Sequence, residues 1–182
     1  MANTLLEIGL EEVPARFIKT CINDLKQRID EKLINNRIKD VKTKIYTYAT
    51  YRRFTIIIKN IKDKQEDINQ EINGPPLTIA RKDDKWLEPA IGFAKKCNIK
   101  TNELIIKTNE KNKEIITAKQ YIKGKKTIDL LPIIFKESIK EMKTPIAMKW
   151  SNNIGPFIRP IRWICNLYND KPIEWEIFNI KS

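Results

Sequence analysis

A long amphipathic pattern near the N-terminus constrains the fold of this chain more than any other feature. Pro14 suits the first turn of a helix, and Asn35-Asn36 ends the pattern. The apolar residues between them recur at steps of three and four, which predicts one continuous helix with an apolar face. They are Ile18, Ile22, Leu25, Ile29 and Leu33.

Short runs rich in β-branched residues lie on both sides of this helix. Tyr51-Arg52-Arg53 separates two of them and is either the tip of a hairpin or a bend in one strand. Pro89 opens a second, shorter helix, and residues 126–143 have the pattern of a third. We predict strands at residues 4–8, 43–50, 54–61, 104–107, 114–121 and 173–178.

This mixture of short strands and separate helices is typical of an α+β fold, with a mostly antiparallel sheet and amphipathic helices packed against it. Gly74-Pro75-Pro76 is a stiff breaker and the preferred internal boundary. It divides the chain into two small subdomains, residues 1–75 and 76–182. The second ends abruptly after a strand, which we interpret as a sign of truncation.

The net charge points to a polyanionic partner. Lys and Arg total 35 and Asp and Glu total 23, which gives +12 at pH 7. Nucleic acid is the first expectation and an anionic membrane surface the second. The abundance of Ile, Lys and Asn indicates A/T-rich codons, so part of this basicity reflects coding bias. Arginine is the rarer cation and its positions therefore carry more weight.

Several classes of site are excluded by composition. The chain has no His, which removes the usual general base, Ser-His nucleophiles and most zinc sites. Cys21, Cys97 and Cys165 are far apart and form neither a disulfide framework nor a zinc pattern, which favours a reducing cytoplasm. No apolar run approaches a membrane span, and no signal peptide is recognisable. We predict a binding module with no catalytic, cofactor-binding or metal-ligating residues of its own.

The stretch from Met148 to Trp163 is the strongest candidate for a binding site. It reads as a loop that enters a helix at Pro160, with Ile161, Ile164, Cys165 and Tyr168 at helical spacing. Such a helix would place Arg159 and Arg162 on one side, beside an indole, which suits a phosphate or a stacked base. The alternative is that Trp150 and Trp163 anchor the core and the two arginines bind carboxylates.

Glu11 and Glu12 are the conspicuous acidic pair near the start. Neighbouring residues point in different directions on a helix, so they make a poor acid/base pair. We predict instead that they complement the positive end of the first helix dipole.

Several segments, in order along the whole chain, resemble one family, the β subunit of bacterial heterotetrameric glycyl-tRNA synthetase. Each segment is a weak match by itself, but together they are specific. This chain departs from the family pattern at four positions. It has Tyr51 and Ala15 where the family has Pro, Lys149 where the family has Arg, and Ser151 where Gly is usual. The matching segments are Leu5–Pro14, Ala49–Phe54, Gly74-Pro75, Ala90–Ala94, Met148-Lys149-Trp150, and Phe157-x-Arg159-Pro160 with Trp163.

The resemblance covers about the first quarter of such a subunit and implies a role in protein synthesis. It implies a glycine–tRNA ligase in which the α subunit activates glycine with ATP, while the β subunit binds tRNA(Gly) and supports an α2β2 tetramer in the cytoplasm. No cofactor is expected on this region and no membrane partner. The residues that we expect to contact tRNA are Arg52, Arg53, Lys149, Arg159 and Arg162. The alternative function is a non-enzymatic basic module that docks on protein or RNA, or a gene remnant.

Overall fold

The computed structural model describes residues 1–108, 112–151 and 154–182, and its fold is α+β with mostly antiparallel strands, as predicted. A short 3₁₀ turn also occurs at Thr101–Glu103. Among the described residues, no helix combines the length and the apolar character needed to cross a bilayer. The elements are β1 (Ala2–Leu10), α1 (Ala15–Asn35), β2 (Lys44–Thr50), β3 (Arg53–Ile61), β4 (Ile68–Pro76), α2 (Leu77–Ala80), β5 (Arg81–Lys82), β6 (Lys85–Trp86), α3 (Glu88–Cys97), β7 (Ile105–Thr108), β8 (Glu114–Ile122), α4 (Thr127–Glu141), β9 (Met148–Trp150), β10 (Ile154–Phe157), β11 (Ile161–Tyr168), β12 (Lys171–Pro172), β13 (Glu176–Ile177) and β14 (Ile180–Lys181).

The chain forms two compact units, and one of them is built from two separate stretches. Met1–Glu66 and Lys125–Ser182 make the first unit, and Asp67–Gly124 makes the second. The division predicted at residue 75 does not coincide with these units, because Gly74-Pro75-Pro76 is the end of β4. The backbone N–H of Gln65 donates to the Lys125 carbonyl at 2.9 Å where the two stretches of the first unit meet. The chain leaves the first unit after Glu66 and re-enters it at Lys125, and the local composition of the sequence does not indicate either point.

A five-stranded antiparallel sheet in the order β12-β11-β1-β3-β2 organises the first unit. Alternate residues of its central strands are fully buried on one side, which we call the inner face, and α1 and α4 share their core. The amphipathic pattern predicted for α1 is confirmed, since its five apolar positions are buried or half-buried against this core. Buried inner-face residues of β1 and β3 include Leu6, Ile8, Phe54, Ile56 and Ile58.

The predicted helix at Pro160 is wrong, because Ile161–Tyr168 is strand β11, paired with β1. The register explains the error. Gly9 pairs with Trp163 but Leu10 pairs with Ile161, so Arg162 is an extra residue in a β-bulge. The bulge places buried Ile161 and Ile164 three residues apart, which imitates the spacing of a helix. Buried Asn166, whose amide donates to the Leu5 carbonyl at 2.8 Å, further masks the alternation of the strand.

The strand predicted at residues 173–178 is wrong except at β13. Trp175 half-buries its ring against the core and donates from Nε1 to Asn166 Oδ1 at 3.1 Å. Its carbonyl accepts from the backbone of Ser182 at 2.9 Å. These contacts close a tight C-terminal loop. The local sequence shows only the alternation of apolar and polar residues that is typical of a strand.

The second unit is a three-stranded antiparallel sheet, β4-β8-β7, with its own small core of Ala80, Ala90 and Ile116. It confirms the predicted strand pair and the helix at Pro89, although the turn between β7 and β8 lies partly outside the described residues. A Cβ atom on Gly74 would lie 2.7 Å from the Phe93 ring. Glycine is therefore required where α3 packs on β4.

Candidate nucleic-acid interface

Three segments that are distant in sequence meet at one end of the five-stranded sheet. They are the tip of the β2–β3 hairpin, the turn between β1 and α1, and the start of β11. Backbone N–H groups in the β1–α1 turn bond them together: Leu10 donates to the Arg52 carbonyl at 2.9 Å, Glu11 to Pro160 at 3.0 Å, and Val13 to Tyr51 at 2.7 Å. The hairpin interpretation of Tyr51-Arg52-Arg53 is thereby confirmed.

Three of the predicted arginines converge at this end, and each lies beside a carboxylate. Arg52 Nη2 is 2.7 Å from Glu12 Oε1, and this hydrogen bond is the main cause that raises the pKa of Arg52. Arg53 Nη1 is 3.3 Å from Glu7 Oε1, and Arg162 Nε is 3.2 Å from Glu11 Oε1.

The role predicted for Glu11 and Glu12 is therefore wrong. The helix begins at Ala15 and its first turn holds no acidic residue. Both side chains instead bind arginines that the fold brings from other segments.

Arg159 and Lys149 occupy a neighbouring position. Arg159 Nε donates to the Glu12 carbonyl at 2.9 Å, and its Nη1 lies 3.7 Å from Met148 Sδ. Lys149 is exposed on the following residue of β9. The structure thus brings Arg52, Arg53 and Arg162 together and places Arg159 against the same β1–α1 turn, while Lys149 is exposed next to Met148, which Arg159 contacts.

The two tryptophans have different roles. Trp150 packs against the core and meets Phe178 edge to face, with ring centroids 5.6 Å apart. Trp163 is 40% exposed, and its ring lies directly on Gly9. A Cβ atom at Gly9 would be 2.1 Å from Trp163 Cε2. The core-anchor alternative is therefore confirmed for Trp150, while Trp163 forms part of the surface.

Gly9 arranges this surface through its cross-strand neighbours. It pairs with Trp163 on one side and Arg53 on the other. Because Gly9 has no side chain, both neighbours can lean over it, and Arg53 Cζ lies 5.5 Å from the Trp163 ring centroid. Gly9 and Glu7 are not among the predicted site residues, although an isolated glycine within a strand is a known signal of close approach.

An open groove of about 640 Å³ lies between these side chains. The Arg52–Glu12 and Arg162–Glu11 ion pairs are solvent-exposed, and such pairs contribute little and open easily. A phosphate could therefore replace a carboxylate as the partner of an arginine fork. Its walls come from all three segments: Leu10, Glu11, Thr50, Tyr51, Arg52, Arg53, Arg162 and Trp163.

Comparison with known proteins identifies the family. A family model described as "Glycyl-tRNA synthetase beta subunit" matches residues 4–182. A protein of Clostridioides difficile (strain 630) named "Glycine--tRNA ligase beta subunit" is 38% identical over 185 residues, which cover 100% of this chain and 26% of the relative.

Two other relatives carry the same name. That of Shouchella clausii (strain KSM-K16) is 37% identical over 98% of this chain, and that of Dictyoglomus thermophilum is 38% identical over 99%. The chain spans about a quarter of the length of the curated relatives that it matches. The chain therefore belongs to the family of glycyl-tRNA synthetase β subunits.

Proposed function

We propose that this chain is the N-terminal part of a glycine–tRNA ligase β subunit and contributes tRNA binding and subunit assembly. The observation that carries the proposal is the convergence of Arg52, Arg53 and Arg162 around one open groove, in a protein of net charge +12. These arginines come from two segments that are distant in sequence, and both segments resemble the family. An end of the sheet with several guanidinium forks fits a phosphate backbone.

The arginines would bind by exchanging partners. In the free protein each fork is held by a glutamate, which keeps it extended over the groove. Phosphate oxygens accept the same paired N–H donors as a carboxylate does, so a tRNA backbone can displace Glu11 and Glu12 without rearranging the fold. Arg159 and Lys149 would add positive charge beside the groove.

The remaining parts of the reaction belong to other regions of the assembly. We propose that glycine is activated with ATP on an α subunit, in a cytoplasmic α2β2 tetramer that attaches glycine to tRNA(Gly). This chain would hold neither ATP nor glycine and would act by binding and positioning. Its association with an α subunit can be checked by size-exclusion chromatography of the mixed proteins, where co-elution is the expected result.

The tRNA contact is tested by changing Arg52 and Arg53 to Ala together. The double variant should bind tRNA(Gly) more weakly, because two cations are lost from the groove. The slope of log affinity against log salt should also fall, by about 0.9 for each phosphate contact removed. Fluorescence anisotropy over a range of salt concentrations measures both quantities.

The matched control is Glu12→Gln. It breaks the same ion pair as Arg52→Ala but removes a negative charge instead of a positive one. We expect tRNA affinity to stay constant or to rise by about fivefold at most, as the Coulomb energy of one solvent-exposed charge allows. If Glu12→Gln weakened tRNA binding as much as Arg52→Ala does, the Arg52–Glu12 ion pair would matter only for the structure of the protein. Unchanged affinity of a folded Arg52→Ala/Arg53→Ala variant would exclude this groove from the tRNA surface.

A further inference from the structure

The five-stranded sheet has a second face, opposite the core, which we call the outer face. Residues alternate between the two sides of a strand, so the neighbours of the buried residues point outward. On β2 and β3, register pairs place Tyr48 beside Thr55 and Tyr46 beside Ile57. The outer-face residues that matter here are Tyr46, Tyr48, Arg53, Lys59 and Trp163.

This face is open in the part of the first unit that the structure describes. Tyr46 is 39% exposed, Tyr48 59% and Trp163 40%, whereas inner-face neighbours such as Phe54 and Ile56 are at 0–1%. The core that these neighbours form includes residues of α1 and α4. Large aromatic side chains left at a solvent-exposed surface indicate a partner when they are grouped together.

Cations lie beside rings at two places on this face. Lys59 Nζ lies 5.6 Å from the Tyr46 ring centroid, and Arg53 Cζ lies 5.5 Å from that of Trp163. Tyr46 and Tyr48 are two residues apart on one strand, a separation of about 7 Å. A base can stack on a ring at each step while its phosphate approaches a cation, which is how proteins bind single strands.

The outer face is continuous with the arginine groove. Arg53 and Trp163 line the groove and also stand at the end of the outer face. Thr50 and Arg53 also border a second depression, which reaches Tyr48 and Glu7. A nucleic-acid strand held by its phosphates in the groove would therefore pass directly onto the tyrosines of β2.

We propose that the outer face stacks unpaired nucleotides of an RNA strand whose phosphates occupy the arginine groove. The inference rests on the proposed function and adds the form of RNA that is recognised. The chemistry favours RNA over protein as the occupant. The aliphatic residues of this face, Leu5, Ile57 and Leu167, are half-buried between their neighbours, so its large exposed side chains are rings and cations. A duplex would hide its bases from the rings.

The experiment uses the full chain and a fluorescent eight-nucleotide RNA, either single-stranded or annealed to its complement. The unmodified protein should bind the single strand more tightly than the duplex. Tyr46→Leu and Tyr48→Leu should each weaken single-strand binding by about tenfold, since base stacking on an aromatic side chain is typically of that size. Both side chains are exposed, so the variants are expected to fold, which circular dichroism checks.

Two further variants separate stacking from other effects. Tyr48→Phe keeps the ring and should lose far less affinity than Tyr48→Leu. Tyr121→Leu removes a comparably exposed tyrosine from the second unit and should leave single-strand affinity unchanged.

The outcomes distinguish the two proposals. Base stacking is supported if Tyr46→Leu and Tyr48→Leu both weaken single-strand binding and Tyr121→Leu does not. If the Leu variants bind the single strand normally while Arg52→Ala/Arg53→Ala does not, base stacking is overturned and the proposed function stands. Equal binding of single strand and duplex also overturns stacking. If the Leu variants no longer bind an α subunit but still bind RNA, the outer face is a protein interface. If the unmodified chain binds no RNA at all, both proposals fail.

Discussion

The two faces of the five-stranded sheet use the same strands for opposite purposes. On β3, Phe54, Ile56 and Ile58 point into the core and are almost completely buried. On the opposite face of the same strand, Arg53, Thr55 and Lys59 point outward, where they bond to Glu7 or lie beside aromatic rings. Because side chains alternate with a period of two, one strand can stabilise the fold and carry a binding surface independently. Substitutions on the two faces should therefore have separable effects.

The largest expected difference is in stability, between substitutions of two adjacent residues that lie on opposite faces. Phe54→Ala should lower the free energy of unfolding by about 3–5 kcal/mol, because it leaves a cavity in the core. Thr55→Ala removes one partly buried hydrogen bond to Glu7 and should cost about 1 kcal/mol or less. Urea denaturation followed by circular dichroism measures both. Similar losses at the two positions would contradict the assignment of the faces.

A smaller effect is expected at Gly9, where the outer face depends on a missing side chain. Gly9→Ala should destabilise the protein by about 1–3 kcal/mol, because the added methyl group collides with the Trp163 ring. In a Trp163→Ala background the same change should be nearly neutral, since the ring is gone. A double-mutant cycle measures this coupling. Equal costs in the two backgrounds would mean that Trp163 does not lie on Gly9.

The smallest effect concerns thiol reactivity and leaves stability untouched. Burial, followed by the charge of Asp24, raises the pKa of Cys21 to about 11, so very little thiolate is present at pH 8. Cys165 is half-exposed on the outer face, opposite Glu7. Iodoacetamide should therefore modify Cys165 well before Cys21, as peptide mass spectrometry can show. Single-stranded RNA should slow the reaction at Cys165 if bases cover that face. Faster modification of Cys21 would contradict the burial of α1.

The elements that can be predicted best from the sequence are those whose pattern is local. The apolar stripe of α1 and the β2–β3 hairpin depend on neighbouring residues only, and both are confirmed. β11 was mistaken for a helix because a bulge at Arg162 and a buried Asn166 disturb its alternation. Both features exist because β11 pairs with β1, more than 150 residues earlier. No window on the sequence contains that partner.

The candidate site shows the same division. Four of the five predicted cations are arginines, the rarer cation, and lie near aromatic residues, while the fifth, Lys149, belongs to a segment that resembles the family. Two of the three carboxylates that bind these arginines, Glu11 and Glu12, were predicted to complement a helix dipole, because they precede a helix in sequence, and no role was predicted for Glu7. The actual partners of Glu11 and Glu12 come from residues 52 and 162, which only the folded sheet brings close.

Thus the residues themselves determined the α+β class, the apolar faces and the excess of positive charge, since these follow from composition and short-range periodicity. The tertiary structure alone decided that the arginines share one groove with Trp163 over Gly9, and which face of the sheet stays open. Those outcomes depend on strand order and register, which are set by contacts between residues that are far apart along the chain.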